Sequence, residues 1–191
     1  INYDGDAQFN IPATGIGAID PLLANAFQNG DVRIDNIDLP SILAVGVSTT
    51  ILKDWTLEFD VLWTNWSTFN KISADFKNPN TPDAIIPRDW HDTFSFILGA
   101  KYQLSKSMVL RGGYMFDNTP IPERTVDPIL PDADRHMLNF GVGYQNNSLS
   151  IDFAYKALFY NDRITQTNIQ GFNGKYESFS SVIAVNLQYV F

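Results

Sequence analysis

The stretch Ser180-Ser181-Val182-Ile183-Ala184-Val185-Asn186-Leu187-Gln188-Tyr189-Val190-Phe191 carries a large apolar group at every second position from Ile183 onward. In an extended strand successive side chains point to opposite faces. Ile183, Val185, Leu187, Tyr189 and Phe191 therefore share one face, and Ala184, Asn186 and Gln188 share the other. A strand with lipid on one side and a polar lumen on the other has this pattern. The edge strand of a soluble sheet can alternate too, so the decision rests on whether the other segments repeat the pattern.

Composition narrows the class. The 191 residues include 14 Phe, 8 Tyr and 4 Trp, yet mean hydropathy is −0.12. No apolar run approaches the ~18 residues of a membrane helix, which excludes a helical membrane protein. Many aromatics at near-neutral hydropathy are what alternating lipid-facing and lumen-facing residues produce. The absence of Cys fits passage through an oxidising periplasm without disulfides. A net charge of −8 argues against nucleic acid as a partner, because phosphate binding needs a basic surface. The chain opens on Ile1 with neither a starting Met nor a signal peptide, which points to processing or to a fragment.

Eight segments have strand character: 1–9, 32–52, 55–69, 92–104, 107–116, 136–145, 148–160 and 175–191. Their connections alternate in length. Lys53-Asp54, Ser105-Lys106 and Asn146-Asn147 are polar two-residue turns of hairpin type, whereas 10–31, 70–91, 117–135 and 161–174 are long. Short periplasmic turns and long extracellular loops give a membrane barrel this rhythm. The faces also agree: Trp55, Leu57, Phe59, Val61 and Trp63 oppose Thr56, Glu58, Asp60 and Thr64. Phe94, Phe96 and Leu98 likewise oppose Thr93, Ser95 and Gly99, and Leu138, Phe140 and Val142 oppose Asn139, Gly141 and Gly143. The expected fold is thus all-β, a single antiparallel membrane-spanning barrel segment over 1–191. A soluble sandwich, with its apolar face in a core, is the alternative.

With the apolar faces in lipid, the opposite faces line the interior. Glu58, Asp60, Lys101, Arg111, Arg135, Asp152 and Lys156 then lie on or near the lumen wall, where an unpaired charge is costly and cross-strand pairing is expected. Such a set serves either as a wall that satisfies itself or as a fixed point for a substrate headgroup. Lys101 and Arg111 are the candidates for an anionic ligand.

The connection over 11–30 differs from the other loops. Ile16, Ile19, Leu23, Ala26 and Phe27 recur at three- and four-residue spacing, Asp20 suits a cap, Pro21 a first turn and Gly30 a stop. This predicts a short amphipathic helix in an extracellular loop, which either captures a hydrophobic molecule or packs as a lid.

Catalysis has few options. A Ser–His pair would have to come from Ser95 beside His91, or from Ser67, and no G-x-S-x-G element occurs. His136 follows Asp132 and Asp134, and Asp92 adjoins His91, but these spacings match no established metal motif. The expectation is no enzyme, no metal, no cofactor and a salt-bridged rim.

Five pieces in order carry a resemblance. They are Asp38-Leu39-Pro40-Ser41; Trp55-Thr56-Leu57-Glu58-Phe59-Asp60 with Trp63 and Trp66; Trp90-His91-Asp92-Thr93; Leu110-Arg111-Gly112-Gly113-Tyr114; and Ile129-Leu130-Pro131-Asp132-Ala133-Asp134-Arg135-His136. Together they resemble the FadL/TodX (OmpP1) family of outer-membrane transporters of hydrophobic compounds. The resemblance implies a fourteen-stranded barrel for passive uptake of long-chain fatty acids or aromatic hydrocarbons, of which this chain looks like the last eight strands. It implies capture in a loop groove, here by Ile16, Ile19, Leu22, Leu23 and Phe27, with outer-membrane lipid around the barrel. The terminal Phe191 resembles the signal read by the bacterial barrel-assembly machinery. The alternatives are a small structural or adhesive barrel without transport and a soluble lipid-binding β-domain.

Overall fold

The computed structural model describes residues 2–10, 12, 14, 17, 19–26, 28–35 and 37–190. In chain order the elements begin with β1 (Tyr3–Ala7), α1 (Asp20–Ala26), β2 (Gly30–Asp35), β3 (Ile42–Ile51) and β4 (Trp55–Thr64). β5 (Lys71–Phe76), β6 (Ala84–Pro87), β7 (Thr93–Gln103), β8 (Met108–Asp117) and β9 (Arg135–Gln145) follow. β10 (Leu149–Tyr160), β11 (Arg163–Thr165), β12 (Gly174–Tyr176) and β13 (Phe179–Tyr189) complete the order. The chain divides into two compact units, one made of 1–40 and 66–90, the other of 41–65 and 91–191.

The larger unit is an antiparallel sheet of seven strands in the order β13-β10-β9-β8-β7-β4-β3. Every neighbour is also the next long strand in the chain, so the sheet is an up-and-down meander. Its strands run 10 to 12 residues, which matches the about 9–11 that a tilted strand needs to cross a bilayer. Short turns join them at one end and the connections 118–134 and 161–178 at the other.

Burial on this sheet is inverted relative to a soluble protein. On β7, Phe94, Phe96 and Leu98 are 48%, 42% and 54% exposed, while Thr93 and Ser95 on the opposite face are 4% and 5% exposed. The register extends the exposed face across the sheet in rows such as Trp55–Tyr102–Leu110–Val142–Phe153–Val185. A contiguous apolar surface of this extent needs an apolar surrounding. The polar face carries Glu58, Asp60, Lys101, Arg111, Arg135, Asp152 and Lys156, all on one side by register.

The compact apolar packing of the unit sits in its loops. Ile121 and Val126 are buried at the 118–134 connection, with Thr125, Ala133, Thr165 and Asn168 around them. Asn168 donates through Nδ2 to the Val126 carbonyl at 2.7 Å, and Thr165 Oγ1 donates to the Glu123 carbonyl at 3.1 Å. The Arg163 guanidinium bonds the Asp132 and Ile121 carbonyls at 2.7 and 2.6 Å. The two long connections are thus tied to each other, and the second carries the β11–β12 hairpin.

The smaller unit holds a four-stranded antiparallel sheet, order β1-β2-β5-β6. Gln28, Asn78 and Thr81 link its connections, with Asn78 Nδ2 donating to Gln28 Oε1 at 2.9 Å. Lys77 pairs with Asp31 at 3.0 Å, which holds the Asp31 carboxyl below the ordinary carboxylate range.

Several expectations of detail are corrected. The long sheet has seven strands in this chain, not eight, because segment 1–9 pairs with β2 in the smaller sheet. The segment 32–52 is two strands: Asp35 ends β2 and Ile42 starts β3, with Pro40, which lacks the amide a ladder needs, between them. The turn after β3 has three residues, since Ile51 pairs with Trp55, and Leu52 and Lys53 both take positive φ. Gly30 opens β2 and does not stop the helix, which ends at Ala26.

Candidate functional site

Two places collect the residues expected to act on a ligand: the polar face of the seven-stranded sheet and the helix of the smaller unit.

On the polar face, Arg111 of β8 donates from Nη1 to Asp152 Oδ1 of β10 at 2.9 Å. The two are separated by the whole of β9. They meet because Gly141 and Gly143 leave that strand bare at the crossing. A Cβ on Gly143 would stand 2.6 Å from Asp152 Oδ1 and 2.9 Å from Arg111 Nη1. Lys101 lies directly opposite Arg111 in the β7–β8 register. Asp60 folds its carboxylate over Gly46 of the neighbouring strand, in the space a side chain there would fill. Lys156 faces Asn139, and Glu58 faces Gly99. Among the described residues, Glu58, Asp60, Lys101 and Lys156 form no ion pair.

Arg135 anchors a second cluster at the loop end. Its Nε lies 2.9 Å from Asp117 Oδ2 and its Nη1 lies 2.8 Å from Asp132 Oδ1. Ser95 donates to the other Asp117 oxygen, and Thr119 donates from Oγ1 to Asp132 and from its amide to Asp134. Asp117 and Asp132 are buried, so one guanidinium compensates two carboxylates that have little access to water. The partners Asp117 and Asp132 were missed as such in the sequence. Their signal was Asp117 directly opposite Arg135 once the β8–β9 register is drawn.

Ser95 is committed to Asp117, and His136 shares a 2.7 Å hydrogen bond between Nδ1 and the Tyr114 hydroxyl on the apolar face, beside Phe116. Among the described residues no group of three His, Asp or Glu side chains is placed to hold a metal ion.

In the smaller unit, α1 forms one short amphipathic stretch. The Leu23 amide donates to the Ile19 carbonyl at 2.9 Å, and Asp20 accepts from the Thr14 amide at 2.8 Å. Ile19 and Leu22, three residues apart on one face, are 40% and 68% exposed, and Leu23 is half-buried. Ile16, Phe27 and Phe191 lie outside the described residues.

Comparison with known proteins gives this inverted sheet a context. The family model described as outer membrane protein transport protein (OMPP1/FadL/TodX) matches residues 1–191. The long-chain fatty acid transport protein of Escherichia coli O6:H1 is 26% identical over 164 residues, which covers 80% of this chain and 34% of the relative. Outer membrane protein P1 of Haemophilus influenzae Rd is 24% identical, covering 71% of this chain and 29% of the relative. The chain therefore spans about a third of the length of the curated relatives it matches. Among solved structures, a Pseudomonas aeruginosa FadL homologue superposes with a TM-score of 0.73 at 24% identity, over 84% of this chain and 38% of that one. The Pseudomonas putida toluene transporter TodX gives 0.59 at 20% identity, over 84% and 36%. Those structures share the fold of the sheet. The chain belongs to the OMPP1/FadL/TodX family of outer membrane transport proteins.

Proposed function

We propose that this chain forms part of the wall and the capture loops of a channel for passive uptake of hydrophobic compounds, long-chain fatty acids or aromatic hydrocarbons. The reading is carried by the inverted seven-stranded sheet, whose apolar face meets lipid while the opposite face offers a polar, ion-paired wall. It is supported by relatives named as long-chain fatty acid transport proteins and by the likeness to a toluene transporter.

Capture begins at α1. Ile19 and Leu22 present apolar surface to water, and Leu23 adjoins them. Each methylene that leaves water there contributes roughly 0.8 kcal/mol, so a long acyl chain is drawn in without nucleotide, metal or redox cofactor. Transfer to the barrel then follows the concentration gradient. The β13 strand, with Ile183, Val185, Leu187 and Tyr189 on its lipid face and Phe191 beyond it, is the segment we assign to recognition by the barrel-assembly machinery.

The test is uptake of a fluorescent long-chain fatty acid by cells that make the protein in its full-length form, with Leu22→Asp beside the parent. The expected result is a loss of most uptake at unchanged outer-membrane abundance. Equal uptake by both would remove α1 from the capture step.

A further inference from the structure

On the apolar face of the seven-stranded sheet one register row is aromatic across five strands: Phe96, Phe116, His136, Phe159 and Phe179. Phe96, Phe159 and Phe179 are exposed, and His136 is half-buried beside Phe116, with the two ring centroids 5.0 Å apart. The next row toward the short turns is Leu98, Tyr114, Leu138 and Ala157. Two residues the other way along β8, β9 and β10 stand Asn118, Asp134 and Asn161. The aromatic row is thus the last apolar one before the polar loop end, the level at which a membrane barrel carries its interfacial girdle.

His136 is the one imidazole in this row. Its partner is the Tyr114 hydroxyl, 2.7 Å from Nδ1. Nε2 has no partner among the described residues and is not sealed off from the surface. A neutral imidazole has one N–H and a phenol one O–H, and their mutual bond uses only one of the two. When the Tyr114 O–H donates to Nδ1, the Nε2–H is left over; when Nδ1–H donates to the phenol oxygen, the Tyr114 O–H is left over. One donor therefore lacks a protein acceptor in either tautomer. Against hydrocarbon an unmet donor is costly.

The surrounding charges select the acceptor. Asp134, about 7 Å further along the strand, carries a carboxylate whose Oδ1 accepts from the Thr119 amide. Arg135 belongs to the opposite face and is taken by Asp117 and Asp132. Lys175, near the same end of β13, is held between Asp162 and Glu177. A carboxylate close by and cations already engaged disfavour an anionic phosphate. A neutral carbonyl oxygen suits the free donor.

We infer that Tyr114 and His136 form a lipid site on the outside of the sheet, which donates one hydrogen bond to the acyl ester carbonyl of a bilayer lipid while Phe116 and Phe159 pack against its chain. The site fixes the depth of the loop end of the sheet in the bilayer. It rests on the reading of the apolar face as the face that meets lipid, made under the proposed function.

The experiment places the full-length protein, labelled with nitrogen-15 histidine, in nanodiscs of ester-linked or ether-linked phosphatidylcholine of equal chain length, the ether form having no carbonyl. The signals lost in His136→Phe are those of His136. In the parent they shift between the two lipids. The parent's thermal transition also falls, from ester to ether lipid, by about 2–4 °C more than that of the double variant Tyr114→Phe, His136→Phe, which keeps both rings and neither donor. Identical His136 signals in the two lipids overturn the site, the donor then being met by water. A shift on replacing phosphatidylcholine by phosphatidylglycerol that is equal in ester and ether forms overturns it too, by assigning the donor to the headgroup. A lipid nitroxide beside the carbonyl separates the site from the reading beneath it. His136 signals that it broadens without a linkage effect overturn the site alone; signals that it leaves sharp remove lipid from this face and overturn both.

Discussion

Arg111 and Asp152 meet at 2.9 Å across an intervening strand, over a glycine, Gly143, that has no side chain to block them. The pair ties β8 to β10 without any direct backbone contact between those strands, which are each hydrogen-bonded to β9. Arg111 and Asp152 are thus paired through a gap left by glycine, whereas Arg135 and Asp117 pair as direct cross-strand neighbours.

Filling the gap breaks the tie. In Gly143→Leu the new side chain overlaps both charged ends and Val109, whose Cγ1 lies 2.8 Å from the position of a Cβ there. Overpacking of this kind costs about 1–3 kcal/mol, whereas the half-exposed ion pair itself accounts for less than about 1 kcal/mol. Denaturant unfolding in detergent micelles measures the loss. Asp152→Asn added to Gly143→Leu produces no further loss, because the bond is already gone; an additive loss would show that the two side chains still meet.

Arg135 is a larger matter. Its removal in Arg135→Ala leaves Asp117 and Asp132 buried and uncompensated, at a cost of about 3 kcal/mol. Thermal unfolding followed by the gel-mobility shift of heat-modifiable barrels reads this as a marked fall in transition temperature. Lys156→Ala, on the same face but unpaired, leaves the transition where it was.

The loop clasp depends on pH. The Gln166 amide donates to Glu123 Oε1 at 2.7 Å, and this bond before all else holds the Glu123 carboxyl below its ordinary value. A carboxyl lowered in the folded state contributes stability above its unfolded value and loses it as pH falls through the folded one. Hydrogen-exchange protection of the Gln166 amide, corrected for intrinsic rates, therefore falls on acidification below the ordinary carboxylate range. In Glu123→Gln protection is lower throughout and flat across that range.

The long strands were legible because lipid and lumen impose a strict period of two, and Phe94 to Lys101 shows it as plainly as the terminal run. What misled was the same signal out of place. Val32-Arg33-Ile34 alternates as a barrel strand does, yet β2 pairs with β1 and β5, and only the pairing separates it from β3. Pro40 marked the break. The loop core escaped notice because Ile121, Val126 and Ala133 follow no period, and it is closed by Thr165 and Asn168, each bonded to a carbonyl 42 residues back, at Glu123 and Val126. Of the candidate charges, the sequence placed all seven on one face, but which of them pair depended on glycine gaps and on the buried Asp117 and Asp132, which alternation does not reveal.

The central claim is that the exposed apolar face meets lipid and the opposite face an aqueous lumen. The chain contains no Cys, so single Cys substitutions at 96 to 101 of β7 and 138 to 143 of β9 can be labelled without background. In the full-length protein reconstituted in vesicles, a fluorophore at positions 96, 98, 138, 140 and 142 is predicted to be quenched by brominated acyl chains. At 99, 101, 139 and 141 a water-soluble quencher is predicted to act and brominated lipid to have no effect. The opposite phase, or quenching by lipid at neither set, would contradict the account.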